Sequence, residues 1–313
     1  MTKPPLVAVV GATGAGKSEA ALALAEAFDG EVVGADAYQL YRGLDIGTAK
    51  VSRELRRRVP HHLIDIVDPD EPLTLARYLD AAQAALADVW SRGKLPILAG
   101  GSGQYFWALL EGWQVPRVPP DAGLRREMEA LAETEGAVAV HARLAALDPE
   151  AARRLDANNL RRVVRALEVV LRSGRPLAAC QTRRPVDADV LIIGLRLPRE
   201  ELYRRLDDRT DAMFAAGFVD EVRRLRAAGF ADCHALRSGV GYKEVSLYLD
   251  GAFDYDEAVR RMKHANHRLV RRQNAWFKPD DARIRWVAAG PEPPQTCVEL
   301  VRAWLAPPNE GQA

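Results

Sequence analysis

Leu6-Val7-Ala8-Val9-Val10-Gly11-Ala12-Thr13-Gly14-Ala15-Gly16-Lys17-Ser18 (residues 6–18) passes from a β-branched apolar run through a glycine-punctuated loop to a Lys-Ser pair. The stretch satisfies G-x-x-x-x-G-K-[ST]. The Ala/Leu-rich segment Glu19 to Phe28 behind it has helical spacing, so the motif lies between an expected strand and an expected helix. Such a loop curls so that successive backbone N–H groups converge, and the dipole of the following helix adds positive potential there. Lys17 neutralises phosphate oxygens, and Ser18 Oγ is placed to hold Mg2+. The expected diphosphate-binding residues are therefore Gly11, Thr13, Gly14, Ala15, Gly16, Lys17 and Ser18. The loop selects a di- or triphosphate group, not a nucleotide as such.

Outward from this motif, strands and helices alternate. Glu31 to Gly34 reads as a second strand, Leu63 to Ile66 as a possible third, Leu75 to Trp90 as an Ala-rich helix, and Leu95 to Ala99 as a strand breaking at Gly100-Gly101. That alternation predicts an α/β fold, a P-loop NTPase-like parallel sheet with helices on both faces. Beyond Pro116-Arg117-Val118-Pro119-Pro120, residues Asp121 to Ser173 read as charged amphipathic helix without a strand, an all-helical insertion. Asp189 to Leu197 returns the chain to the sheet. A second helical run covers Arg199 to Ala228, and the tail holds one short helix, Cys297 to Leu305, with fraying expected after it. The expected division is a core domain over 1–116 and 185–290, the insertion over 117–184 and a tail over 291–313.

The 313 residues, 48% of them apolar with a formal charge of +1, exclude a disordered chain and are enough for a sizeable core. Cys180, Cys233 and Cys297 are too scattered for a disulfide framework or a metal pair, and are read as reduced thiols of a cytoplasmic protein. The amino terminus reads as a strand entering a loop rather than as a signal peptide, and no apolar run is long enough for a membrane span. The small net charge hides a basic insertion, since residues 117–184 carry 13 Arg against 9 acids. Val259 to Lys278 holds seven basic residues and no acid, which suits either a polyanion or a solvated helix face. His61-His62 and the pair His264 and His267 lack partners at zinc-finger spacing, so no zinc site is expected.

Two residues could serve an acceptor. Asp36 follows the second strand, which in a parallel sheet places it at the carboxyl edge beside the loop, where a carboxylate can take a proton; a turn-capping role fits equally. Ser102, at the end of another strand, reaches the same crevice and could steady an acceptor or a leaving oxygen. An NTPase would end that strand with a metal-holding Asp, and here it ends in Gly100-Gly101-Ser102. Asp65 is a possible substitute, but with Asp68, Asp70 and Glu71 behind it the segment reads as an acidic loop.

Around these residues GATGAGKS is followed in order by GADAYQLYRGLDIGTAK (34–50), PHHLIDIVDP (60–69), ILAGGSGQYFWALLEG (97–112), RRVVRALEV (161–169), RTDAMFAAGFVDEVRRL (209–225), SGVGYKEV (238–245) and RRQNAWF (271–277). The series resembles the tRNA dimethylallyltransferases over about residues 5 to 287. That family transfers a dimethylallyl group from its diphosphate to N6 of the adenosine immediately 3′ of the anticodon. The resemblance implies that the loop holds dimethylallyl diphosphate with Mg2+, that Asp36 is the base, and that Arg209 contacts the diphosphate. It also implies that Asp36, Ala37, Tyr38, Gln39, Ser102, Arg125, Arg161, Arg162, Val163, Val164 and Arg165 contact tRNA, with the insertion as the tRNA-binding domain of a monomer. The chain departs from the family at Ser102 (usually Thr), Ala37 (often Ser) and Asn158-Asn159-Leu160.

A target base inside a stacked anticodon loop must be turned out before its N6 is reached. Arg-rich helices could clamp the anticodon stem-loop, with Tyr38, Gln39, Trp276 and Phe277 as candidates for base contacts; the last two suit a core equally. Three other readings stay open at this level: a small-molecule or nucleotide kinase using ATP, an RNA-binding protein with a vestigial loop, and a relative that modifies free adenine nucleotides. Intact Lys17, Ser18 and Asp36 count against the second, and the Arg-rich insertion against the third.

Overall fold

The computed structural model describes residues 3–288 and 293–306. Six parallel strands form one sheet: β1 (Pro5–Gly11), β2 (Gly30–Gly34), β3 (His61–His62), β4 (Leu95–Ala99), β5 (Asp189–Arg196) and β6 (Ile284–Ala288), in the order β3-β2-β4-β1-β5-β6. β1 is central and, apart from its first residue, buried throughout, as expected of a strand covered on both faces. Leu24, Ala21 and Ala25 of the helix Lys17–Ala27 pack on Val7, Val9, Ile97, Leu191 and Ile193, and Val298 and Val301 of the helix Pro293–Leu305 close the same core. Register sets the working edge. Val9 lies opposite Ala99, and Gly34 opposite Ala99 from the other side, so the loops after β1, β2 and β4 leave the sheet at one level.

One expectation needs correction, and others are refined. Leu63 to Ile66 is not a strand: pairing stops after His62, because Leu63 (φ 63°) and Asp65 (φ 56°) take left-handed conformations that cannot continue a ladder. Asp65 is held there by Lys50 Nζ at 2.6 Å and Arg56 Nη1 at 2.7 Å, so it is an ion-paired loop residue and not a metal ligand. β6 is a strand the sequence did not suggest, its short run being flanked by Asp281, Arg283 and a surface-facing Arg285. The run 199–228 is two helices, Arg199–Ala215 and Phe218–Leu225, followed by a wide turn. The fraying expected beyond the last helix falls on 307–313, outside the described residues.

The chain divides into two compact units, one formed by the residues up to 107 and from 187 onward, the other by 108–186. The second is helical: Ala122–Glu135, Ala137–Leu147, Pro149–Arg154, Leu160–Ser173 and the short Leu177–Cys180. Asp121, Asp148 and Asn159 cap three of these helices by accepting backbone N–H bonds, satisfying donors that would otherwise be orphaned. Met128, Val140, Leu144, Val163, Val164 and Leu167 form its core. Val163 and Val164 were expected at RNA; their side chains are instead buried among apolar neighbours and cannot reach it.

Glu168 organises this unit. Fully buried, it accepts from the Asp121 N–H at 2.9 Å, Arg125 Nε at 2.7 Å and Arg165 Nη1 at 2.9 Å, while Arg165 Nη2 donates to the Val118 carbonyl at 2.8 Å. Burial alone would raise its pKa, but the bonds from Arg125, Arg165 and the Asp121 amide outweigh it and hold the carboxyl at about 2. No helix among the described residues is long and apolar enough to cross a membrane.

A carboxyl with a depressed folded-state pKa stabilises the fold above its unfolded value and loses that contribution as acid protonates it. The stability that Glu168 confers should therefore be full above about pH 4.5 and disappear as pH falls toward about 2. Glu168→Gln should cost about 2 kcal/mol at neutral pH and flatten that part of the acid dependence. Urea denaturation of both proteins from pH 6 downward checks it, and parallel curves would remove Glu168 from this role.

Candidate active site

The loop between β1 and the helix Lys17–Ala27 turns at Gly16, whose φ of 93° would strain any side chain. Lys17 enters the helix, and its Nζ folds back to donate to the Ala12 carbonyl at 2.9 Å. Desolvation pushes its pKa down to about 8, against an opposing pull from Asp36 and with help from Arg209. Arg209 comes from the helix Arg199–Ala215. Its Nη2 donates to Thr13 Oγ1 at 3.0 Å, and its Nε is buried with no hydrogen-bond partner. Burial lowers its pKa too, with Asp36 and Glu19 opposing. Two desolvated cations, one carrying an orphaned N–H, are what an anion such as a diphosphate would satisfy.

The acceptor edge is tied to the loop through the backbone. The Ala35 N–H donates to the Ala99 carbonyl at 2.8 Å, and the Ser102 N–H donates to the Ala35 carbonyl at 3.1 Å, fixing the ends of β2 and β4 together. Asp36 fills its expected turn-capping role. Its Oδ1 accepts the N–H groups of Tyr38 at 2.9 Å and Gln39 at 3.3 Å as an Asx turn, while Oδ2 has no hydrogen-bond partner. Lys17 and Arg209 both feel its charge, so it faces the same crevice. Ser102 is half-buried with its hydroxyl unpartnered. Ala37 is half-buried beside Asp36; Tyr38 Oη lies 3.0 Å from Ser238 Oγ, and Gln39 Nε2 donates to the Thr48 carbonyl at 3.1 Å.

One central residue was not singled out from the sequence. Gln273 lies on the helix Tyr255–Trp276; its Oε1 accepts the Thr13 N–H at 2.8 Å and its Nε2 donates to the Gly101 carbonyl at 3.0 Å. The available signal was a polar residue among cations, RRQNAWF, at a buried position of an otherwise solvated helix end. The Thr13 amide is thus committed to Gln273 and not to a phosphate, leaving the hydroxyl as that residue's donor. Phe277 belongs to the core, packed edge-on against Phe106, and is unavailable for base stacking, whereas Trp276 is 39% exposed.

In the helical unit Arg161 and Arg162 are exposed, while Arg125 and Arg165 are engaged by Glu168. Among the described residues no group of three His, Cys, Asp or Glu could hold a metal ion. Ser18 Oγ, exposed at the start of the helix and without a hydrogen-bond partner, suits a hard cation that completes its shell with phosphate oxygens and water.

A family profile described as IPP transferase matches residues 39–280. The tRNA dimethylallyltransferase of Roseiflexus sp. (strain RS-1) is 46% identical over 96% of this chain and 99% of its own. That of Chloroflexus aurantiacus (strain ATCC 29366 / DSM 635 / J-10-fl) is 49% identical over 87% of this chain and 92% of its own. Among solved structures, the full-length tRNA isopentenylpyrophosphate transferase of Bacillus halodurans aligns with a TM-score of 0.71 at 36% identity, covering 96% of both chains. A eukaryotic dimethylallyltransferase acting on tRNA aligns at 0.79 and 26% identity, over 96% of this chain and 77% of that one.

An anion seated beside Lys17 favours its charged form, so the pKa of about 8 in the free protein should rise on binding. Affinity for an organic diphosphate should be full below about pH 8 and weaken as pH rises above it, with proton uptake per ligand of about one half at that pH and approaching one above it. Titration calorimetry in buffers of different ionisation heat measures the uptake. A heat independent of buffer would mean that Lys17 is charged throughout.

Proposed function

The chain belongs to the IPP transferase family, and from that premise we propose that it is a tRNA dimethylallyltransferase, moving a dimethylallyl group from dimethylallyl diphosphate to N6 of the adenosine 3′ of the anticodon. The observation that carries the reading beyond family membership is the pairing of a desolvated cationic cradle, Lys17 and Arg209, with a carboxylate, Asp36, whose charge both cations feel. A kinase would need a metal-holding acid at the end of β4, where Gly100-Gly101-Ser102 stands, and Asp65 is committed to Lys50 and Arg56.

The donor's diphosphate lies in the loop against the backbone N–H groups of Gly14, Gly16, Lys17 and Ser18, Lys17 Nζ and the Arg209 guanidinium, where the charge of the departing group develops. The N6 lone pair attacks C1 of the allyl group as the C1–O bond breaks, and that bond's electron pair leaves with diphosphate. N6 is a poor nucleophile because its lone pair is delocalised into the ring, so Asp36 Oδ2 takes its proton as the C–N bond forms. Ser102 Oγ, held by the Ala35 carbonyl through its backbone, steadies the acceptor. Ser18 would hold Mg2+, which when bound neutralises charge on the diphosphate.

The anticodon stem-loop is the macromolecular partner. Ala37, Tyr38 and Gln39 line the acceptor edge, and Arg161 and Arg162 offer exposed cations to phosphates, so binding weakens as salt rises. We place the reaction in the cytoplasm, where tRNA is handled.

Mass spectrometry of an anticodon stem-loop RNA incubated with the protein, Mg2+ and dimethylallyl diphosphate should show one dimethylallyl group on the loop adenosine. Asp36→Asn keeps Oδ1 as acceptor for the Tyr38 and Gln39 amides while removing the charge, and should cost about 10²- to 10⁴-fold in transfer with diphosphate affinity retained. Ser102→Ala should slow transfer by about tenfold. ATP consumed with no prenylated RNA would replace this reading with the kinase.

A further inference from the structure

Resting on the reading above, we infer that Gln273 is a positioning residue that sets the distance between the leaving-group cradle and the base. Its carboxamide is the only side chain hydrogen-bonded to both loops among the described residues: Oε1 takes the Thr13 N–H of the phosphate loop at 2.8 Å, and Nε2 donates to the Gly101 carbonyl at the end of β4 at 3.0 Å. The orientation is forced, because a flipped amide would set oxygen against carbonyl and nitrogen against N–H. The approach is too close for a side chain on the partner strand: a Cβ on Gly101 would lie 2.3 Å from Gln273 Nε2 and 3.6 Å from Lys17 Nζ. The glycine at 101 and the glutamine at 273 therefore form one fitted pair, directly beside the lysine that faces the diphosphate.

The clip joins two halves of the reaction. On one side Thr13 also accepts from Arg209, so fixing the Thr13 backbone fixes a donor-side cation. On the other side Gly101 leads into Ser102, whose N–H is bonded to the Ala35 carbonyl, and Asp36 follows Ala35. A continuous path thus runs from Arg209 through Thr13, Gln273, Gly101, Ser102 and Ala35 to Asp36. Gln273 also occupies the Gly101 carbonyl, which would otherwise present a lone pair toward an anion site. Transfer requires the reacting atoms at near-contact distance, and a displacement of about 1 Å costs on the order of 10²-fold in rate.

The test compares two variants with the unaltered protein, all assayed for prenyl transfer to an anticodon stem-loop well below their melting temperatures. Gln273→Met keeps length and removes both bonds. Its kcat should fall by about 30-fold or more, with KM for the RNA and affinity for inorganic diphosphate within about threefold. Gln273→Glu offers a carboxylate that can accept from Thr13 but not donate to Gly101, and that lies beside Lys17. When protonated, it reproduces both bonds. Burial, the Gly101 carbonyl and Asp36 favour that protonation, while Lys17 and Arg209 oppose it. The kcat ratio of Gln273→Glu to the unaltered protein should rise as pH falls and the carboxyl takes its proton, while the Gln273→Met ratio stays flat. Wild-type kcat in Gln273→Met, or a fall in kcat matched by an equal loss of diphosphate affinity, would reduce the residue to packing and overturn the inference. No transfer by the unaltered protein would overturn the functional reading, and this inference with it.

Discussion

The parallel pairing of β1 with β4, and of β4 with β2, brings three strand ends to one level, and each residue of the proposed reaction in the sheet unit hangs from that edge or is bonded to it. Because β1 is buried between neighbours on both sides, a slip in its register would carry Gly11 to Ser18 away from Ala35 and Ser102 while exposing apolar surface. Hydrophobic burial therefore enforces the catalytic geometry at a distance. The polar groups at the edge need only small adjustments made by backbone bonds.

The segment Asp45 to Lys50, one of the stretches that carried the family resemblance, proves to be scaffolding. Glu221, buried on the helix Phe218–Leu225, accepts the N–H groups of Asp45 at 3.1 Å, Ile46 at 2.7 Å and Gly47 at 3.3 Å, and Tyr242 Oη donates to it at 2.6 Å. Lys50, almost wholly buried, bonds the Tyr41 carbonyl and pairs with Asp45 and Asp65. These contacts pin the loop that follows Asp36, Tyr38 and Gln39, and Gln39 itself spends its amide nitrogen on the Thr48 carbonyl. The cost of desolvating this carboxylate is offset by its four donors, whereas removing it would strand the amides.

The phosphate loop, the sheet, the helical insertion and the position of Asp36 and Ser102 at the strand ends were legible because each is encoded locally: a motif, a periodicity, a residue just past a strand. What stayed hidden depends on pairs distant in sequence. Gln273 meets Thr13 across 260 positions and Gly101 across 172, and no composition or spacing rule reaches that far. The same holds for Glu168, whose carboxylate pairs with Arg125 and Arg165, residues read from the sequence only as RNA contacts. Val163 and Val164 show the converse error, since a motif match says that a segment matters and not which face of its helix is outward. β3 was misplaced because Leu63 and Asp65 take backbone conformations uncommon for their residue types.

The same desolvation that equips the site also taxes the fold. Lys17, with its pKa lowered to about 8, destabilises the native state wherever the unfolded chain would carry the proton, a cost fully present below about pH 8 and gone once pH exceeds the unfolded value of 10.5. Arg209 adds a guanidinium N–H with no partner. Neither penalty improves packing, and in the proposed reaction both would be relieved by the same event, the arrival of a diphosphate. The free energy withheld from stability in the empty protein would then be returned as affinity for the donor. It then serves the reaction itself, because the interactions that hold the bound diphosphate strengthen further as its C1–O bond breaks and the charge on the leaving oxygen grows. On the proposed mechanism, Gln273 would keep that growing charge and the base on Asp36 at a fixed separation, so that the binding energy is delivered where the bond is made.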